Sequence, residues 1–106
     1  MDLNGVLGDL KKRLVEVYGN NLTEVVLFGS AARGEATDES DIDLLVVLRD
    51  IPDPGEEFDK VFKIEREIEE RFEDKVVISL VLATEAEYRA KAEPLFLNVQ
   101  REGVRV

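Results

Sequence analysis

The chain has 106 residues, of which 24 are acidic, 14 are basic and none is His or Cys, and its formal net charge is −10 at pH 7. These counts exclude disulfide bonds, a thiol nucleophile, a Ser-His-Asp triad and a metal site with His or Cys ligands. Any metal would be bound by oxygen, as magnesium, calcium and manganese are.

The length and a hydrophobic content of 44% predict one folded domain over residues 1–106. The acidic balance argues against direct nucleic-acid binding. The sequence contains neither an apolar run of membrane-spanning length nor a signal-peptide pattern at the N-terminus, so we expect a cytoplasmic protein without membrane contact.

The first segment is predicted to be an amphipathic helix. Gly19, which is followed by two asparagines, is a typical stop signal for it. Apolar residues recur at spacings of three and four and thus share one helix face, which we interpret as core packing: Leu3, Leu7, Leu10, Leu14 and Val17.

Two apolar runs, 25–28 and 42–48, are predicted to be strands covered on both faces. The first ends at Gly29, and the second carries Asp43 near its start. The connection 30–41 is short for a crossover helix, so we expect the two strands to be antiparallel neighbours.

A long helix from Glu56 to Phe72 and a third strand over 75–83 are predicted next. The helix has a predicted apolar side that should pack on the sheet. Its members are Phe58, Val61, Phe62, Ile68 and Phe72.

The end of the chain is predicted to be helical. Thr84 and Glu87 form a capping box that starts a short helix through about Glu93. Pro94 starts a further helix, Gly103 ends it, and a tail or short strand follows. The element order predicts an α/β (α+β) domain in which helices pack on a small mixed sheet.

Asp41 and Asp43 are the candidate catalytic residues and metal ligands. Residues i and i+2 of a strand point to one face, so the two carboxylates should stand side by side. A divalent cation would compensate their repulsion. Alternatively, Asp41 caps the strand entrance and Asp43 faces water, as is usual for an isolated Asp-x-Asp pair.

The turn before this strand has features of a phosphate site. Gly29 permits close backbone approach, and the predicted helix start that follows would present free N–H groups to an anion. The Ser30 hydroxyl and the Arg33 guanidinium add further donors. Each feature alone is more often an ordinary turn or a solvated charge. Their combination with Asp-x-Asp ten residues later is more specific.

Two motifs together resemble the nucleotidyltransferase superfamily that includes DNA polymerase β: Gly29-Ser30-Ala31-Ala32-Arg33-Gly34 and Ser40-Asp41-Ile42-Asp43. The resemblance covers essentially the whole chain and is closer to the minimal nucleotidyltransferases, which are paired with HEPN-domain proteins. It implies that Gly29 and Ser30 hold the phosphates of a nucleoside triphosphate. It also implies that Asp41 and Asp43 carry Mg²⁺, as two ions with the nucleotide, and that Arg33 and Ser40 lie near the phosphates.

The resemblance further implies transfer of a nucleoside monophosphate, AMP from ATP, to a hydroxyl acceptor. In many minimal members the acceptor is a tyrosine of the HEPN toxin and the modification inactivates it, so the chain would act as an antitoxin. The small size leaves little room for an acceptor pocket, so a toxin partner or a second copy should complete the site.

The sequence departs from the family pattern on the third strand. Catalytic relatives carry a third carboxylate there, whereas the only polar residue of the matching run is Ser79. A hydroxyl is neither a base nor a strong metal ligand. The enzyme therefore works with two carboxylates and a base from its partner, or it is a weak or inactive module that neutralises a HEPN ribonuclease by binding. A third alternative is an acidic α/β domain whose aspartates bind only solvent cations.

Overall fold

A computed structural model describes residues 3–34 and 41–106. The first helix, α1, spans Leu3–Tyr18, and one 3₁₀ turn, Gly19–Asn21, leads into β1, Leu22–Phe28. The remaining elements, in chain order, are β2 (Asp41–Leu48), α2 (Pro54–Arg71), β3 (Val77–Thr84), α3 (Glu85–Arg89), α4 (Pro94–Glu102) and β4 (Val104–Arg105).

The four strands form one mixed sheet in the order β3-β2-β1-β4. β1 pairs antiparallel with both β2 and β4. The pairing of β1 with β2 confirms the prediction made from their short connection. β2 and β3 are parallel because α2 provides the crossover between them. The predicted α/β class and mixed sheet are confirmed.

Helices cover both faces of the sheet. On one face, α1 and α2 pack on alternate strand residues such as Leu27, Leu44 and Ile78. On the other face, α3 and α4 pack on the intervening residues, Val26 and Leu45 among them. This second layer covers only part of its face, and the ends of β2 and β3 that carry Asp41 and Val77 are exposed.

The buried face of α1 includes two residues that the predicted stripe omitted. Leu10 and Leu14 are fully buried as predicted, while Leu3, Leu7 and Val17 are only partly buried against the core. Val6 and Tyr18 complete the buried face.

The predicted apolar side of α2 was wrong at two positions. Phe58 and Phe62 are 59% and 62% exposed. The sheet instead packs against Val61, Ile64 and Ile68, which fall within one narrow arc of a helix that turns 3.6 residues per turn. The helix also begins at Pro54 rather than Glu56, because the Asp53 side chain caps it by accepting a hydrogen bond from the backbone N–H of Glu56.

The capping box and the last helix agree with prediction, but α3 is shorter than predicted. The Thr84 hydroxyl accepts from the Glu87 N–H at 3.1 Å and donates to the Glu87 carboxylate at 2.8 Å. The helix ends at Arg89, not near Glu93, because Lys91 adopts a left-handed conformation (φ +52°) that terminates it.

Two carboxylates of α2 protect the outer edge of β3. The N–H of Ile78 donates to Glu69 at 2.9 Å, and the N–H of Leu80 donates to Glu65 at 2.9 Å. These donors point away from β2 and would otherwise be unpaired, so the side chains satisfy an exposed sheet edge.

In the part of the chain that is described, no helix combines the length and apolar character needed to cross a bilayer.

Candidate active site

Gly29 and Asp43 meet where β1 leaves the sheet. The antiparallel register pairs Phe28 with Asp43, so the next residue, Gly29, lies beside the Asp43 side chain. Gly29 has φ +74°, and a Cβ atom placed on it would lie 2.6 Å from Oδ2 of Asp43. Glycine is required there both by the backbone conformation and by the carboxylate.

Asp41 and Asp43 lie on one face of β2, as predicted. Asp41, the first strand residue, is exposed, and Asp43 is half-buried. Burial raises the pKa of the Asp43 carboxyl, and the nearby charge of Asp41 raises it further. The arrangement thus places two carboxylates on one face at the exposed end of β2.

The backbone after Gly29 forms hydrogen-bonded turns over residues 30–34, and the predicted helix start is wrong within this described part of the connection. The N–H of Arg33 donates to the carbonyl of Gly29, and the N–H of Gly34 donates to that of Ala31, both at 3.3 Å. Gly34 takes φ +74°, which favours a turn over continued helix.

Ser30 and Arg33 lie in this turn, close along the chain to Gly29. Ser30 is half-buried, and Nη1 of Arg33 lies 3.8 Å from Oε2 of Glu102 on α4. Glu102 could not be predicted from the sequence to lie beside Arg33, because no local pattern connects residues 69 positions apart. Ser40, the remaining predicted phosphate contact, lies outside the described residues.

Ser79 occupies the β3 position beside Asp43. The parallel register pairs Asp43 with Ser79 and Asp41 with Val77, and the side chains of Ser79 and Val77 are exposed. Across residues 3–34 and 41–106, no group of three or more acidic side chains is arranged as a metal site. Among the described residues, the adjacent ends of β2 and β3 thus offer two carboxylates, Asp41 and Asp43, and the hydroxyl of Ser79.

The fold and this strand-turn-strand site define a nucleotidyltransferase domain. Residues 7–98 match the family model described as nucleotidyltransferase domain, and the chain belongs to that family. A solved minimal nucleotidyltransferase structure is similar over 100% of this chain and 97% of its own, with TM-score 0.66 and 26% identity.

Individual proteins are also similar to this chain. The protein adenylyltransferase MntA of Thermococcus cleftensis is 41% identical over 51 residues, which cover 48% of this chain and 50% of MntA. A toxin–antitoxin structure with AMP-PNP shares the fold over 92% of this chain and 69% of its own, with TM-score 0.59 and 20% identity. The chain spans 34%, 64% and 50% of the lengths of three curated relatives that it matches.

Proposed function

We propose that the protein is an Mg²⁺-dependent nucleotidyltransferase that transfers AMP from ATP to a hydroxyl of a protein acceptor. The single observation that carries the proposal is the placement of Asp43 against Gly29, with Asp41 on the same face of β2, at the open end of the sheet. Family membership supports the reaction class, and the name of the Thermococcus cleftensis relative supports adenylyl as the transferred group.

The two aspartates fit magnesium in number and chemistry. Mg²⁺ prefers oxygen ligands and is usually bound by one or two carboxylates, with waters and substrate phosphates completing its octahedron. A cation would offset the burial of the Asp43 carboxyl and its repulsion by Asp41, which together raise the pKa of Asp43. When bound, the metal neutralises phosphate charge and aligns the reacting oxygens.

The chain's own groups would bind and orient the triphosphate. Gly29 lets the backbone approach the phosphates closely, and Ser30 supplies a hydroxyl donor. Arg33 adds positive charge, and its guanidinium lies 3.8 Å from the Glu102 carboxylate on α4. Ser40 is proposed as a further phosphate contact.

The proposed reaction is a substitution at the α-phosphorus. The acceptor oxygen forms a bond to phosphorus, the bond to the bridging oxygen of the β-phosphate breaks, and pyrophosphate leaves. The hydroxyl proton passes to a base, which we assign to the partner because Ser79 cannot accept it at neutral pH.

The proposed acceptor is a tyrosine of a HEPN-domain toxin, whose modification would inactivate the toxin. The AMP-PNP-bound toxin–antitoxin structure that shares this fold supports a toxin as the partner. The acidic surface suits a partner with a basic face, whether in a hetero-oligomer or with a homodimer of this chain. A cytoplasmic setting follows from this role.

The test is transfer of label from ATP labelled at the α-phosphate to a HEPN-domain protein encoded beside this chain, in Mg²⁺. We expect label on the partner with wild type and none with the Asp41→Asn/Asp43→Asn variant. Asp50→Asn/Asp59→Asn, which removes two charges elsewhere, should transfer normally. Absence of transfer by wild type where an active relative transfers, or transfer from γ-labelled ATP, would contradict the proposal.

A second function is favoured by one observation, the hydroxyl of Ser79 beside Asp43. If the site does not turn over, the protein neutralises its toxin by binding alone. The Asp41→Asn/Asp43→Asn variant should then protect cells expressing the toxin as well as wild type does. Loss of protection by a variant that still folds and binds the toxin would exclude this function.

A further inference from the structure

A second concave surface lies at the end of the sheet opposite the Asp41–Asp43 pair. It is a groove of about 880 Å³ between the first half of β1, α3 and α4, on the face that these helices cover. The wall at Thr23 is about 20 Å along β1 from Gly29, given the rise per residue of a strand. A ligand bound at the Thr23 wall would not touch the two aspartates.

The groove is basic, although the chain as a whole carries a net charge of −10. Two of its cations are paired with its two carboxylates: Arg105 with Glu24 at 2.9 Å, and Arg89 with Glu85 at 2.6 Å. The walls contain four cations and two carboxylates in all: Arg49, Arg89, Lys91, Arg105, Glu24 and Glu85.

Arg49 and Lys91 leave an excess of positive charge in the groove. Neither forms an ion pair with a described residue, and they come from different parts of the fold. Arg49 follows the end of β2, and Lys91 lies between α3 and α4. The fold thus places in one cavity two cations that form no ion pair with a described residue.

The backbone at Lys91 makes this position unusual. Its N–H donates to the carbonyl of Tyr88 and the N–H of Ala92 donates to that of Glu87, both at 3.2 Å. These bonds form the helix-ending motif in which glycine normally takes the left-handed position. Lys91 takes it with φ +52°, against the steric preference of a side chain.

The floor of the groove is largely apolar, and two polar side chains of its walls already form hydrogen bonds within the protein. Val26, Tyr88 and Val99 form the buried floor. The Thr23 hydroxyl donates to the carbonyl of Val47, and the Gln100 amide donates to the carbonyl of Tyr88. Ligand affinity would therefore come from the cations and from contact with the floor.

We infer that this groove binds a phosphate-bearing small molecule of up to nucleotide size, through Arg49 and Lys91. Arginine and lysine are the usual phosphate ligands where no metal mediates the contact. The volume is within the range of small-molecule sites. The inference does not depend on the proposed nucleotidyl transfer, because it uses none of the same residues.

The test is a titration of the whole chain with inorganic phosphate, pyrophosphate and ADP in EDTA, monitored by calorimetry and amide NMR shifts. Without Mg²⁺ the Asp41–Asp43 pair repels phosphates, so binding there is suppressed. We expect saturable binding of at least one probe, with shifts at Thr23 and Lys91 rather than at Gly29. Tighter binding of ADP indicates a nucleotide ligand, and equal or tighter binding of pyrophosphate or phosphate indicates an inorganic one.

Matched variants separate the groove from general electrostatics. Arg49→Gln/Lys91→Gln should weaken binding at least tenfold, whereas Lys12→Gln/Lys63→Gln, which changes the net charge equally with exposed residues outside the groove, should change it less than twofold. Lys91→Gly should weaken binding while raising the melting temperature, since glycine fits the left-handed position. No saturable binding of any probe, equal weakening by both double variants, or shifts confined to Gly29 and Ser30 would overturn the inference.

Discussion

The Asp43 carboxylate occupies the space that a side chain at position 29 would need. A Cβ atom on Gly29 would lie 2.6 Å from Oδ2 of Asp43, well inside any normal contact distance. The contact between Gly29 and Asp43 therefore couples the turn that would hold the phosphates to the strand that would hold the metal. A substitution in the turn is transmitted directly to the carboxylate.

Gly29→Ala should damage the site more than the fold. The methyl group displaces the Asp43 carboxylate, and the left-handed φ costs alanine about 1–2 kcal/mol of stability. We expect nucleotide affinity in Mg²⁺, measured by calorimetry, to fall at least tenfold in a protein that still unfolds cooperatively.

Gly8→Ala is the matched control, because nothing lies within 4 Å of its added Cβ on α1. It should be more stable by about 0.5–1 kcal/mol and bind normally. Normal binding by Gly29→Ala would contradict the proposed role of the contact.

Glu69→Ala should destabilise the protein by removing the cap on the β3 edge. It leaves the buried N–H of Ile78 without an acceptor, at a cost of about 1–3 kcal/mol in the free energy of unfolding. Urea denaturation measures this loss. Light scattering should also detect more self-association, because an unpaired edge is a template for another strand.

The control for this prediction is Glu70→Ala on the same helix. Glu70 is exposed, and its carboxylate lies 3.6 Å from Arg66 without contacting β3. Its removal should change stability by less than about 0.5 kcal/mol. Equal effects of the two substitutions would mean that the bond from Ile78 contributes no more than a surface charge does.

Local patterns in the sequence were sufficient to predict the strands of the site. The spacing of Asp41 and Asp43 fixes a common face, and the short connection from Gly29 forces β1 and β2 to be antiparallel. In both cases the determining distances lie within one strand or one turn. The structure confirms the common face and the pairing.

Features that depend on contacts between distant parts of the chain could not be predicted from the sequence. Phe58 and Phe62 fit an apolar stripe, but the position of the sheet selects the neighbouring arc through Ile64 instead. Likewise Glu65 and Glu69 have the composition of a solvated helix face, yet they accept hydrogen bonds from a strand that follows later in the chain. Tertiary packing decides which of several similar helix faces is buried.

Glu65→Gln should stabilise the fold more at pH 7 than at pH 4. Burial raises the pKa of the Glu65 carboxyl, the nearby Glu69 raises it further, and the bond from the Leu80 N–H lowers it. The folded state therefore holds this proton more tightly than the unfolded chain does. The stability that Glu65 contributes is complete below its unfolded-state pKa and is lost as the pH rises through its folded-state pKa.

The amide variant removes this titration while keeping an oxygen that can accept from Leu80. Urea titrations at the two pH values measure the difference in unfolding free energy between variant and wild type. This difference should be smaller at pH 4 than at pH 7. Glu70→Gln provides the control for loss of one charge on α2. A difference that grows toward pH 4 would show that the Leu80 bond, not burial, dominates the behaviour of Glu65.

Ser79→Asp should place a third carboxylate in the site. The parallel register sets Ser79 directly beside Asp43, and residues paired in this way point to the same face. In EDTA the variant should be less stable than wild type, because three like charges share one exposed end of the sheet. Mg²⁺ should reverse that loss and raise the melting temperature more than it does for wild type.

If proton removal limits the proposed transfer, the rate of label transfer should rise about tenfold or more, since a positioned general base contributes at least that much. Ser79→Asn, which adds similar bulk without charge, should show neither effect. Identical Mg²⁺ responses of Ser79→Asp and Ser79→Asn would mean that the residue beside Asp43 does not reach the metal, and the third-carboxylate account of this strand would fail.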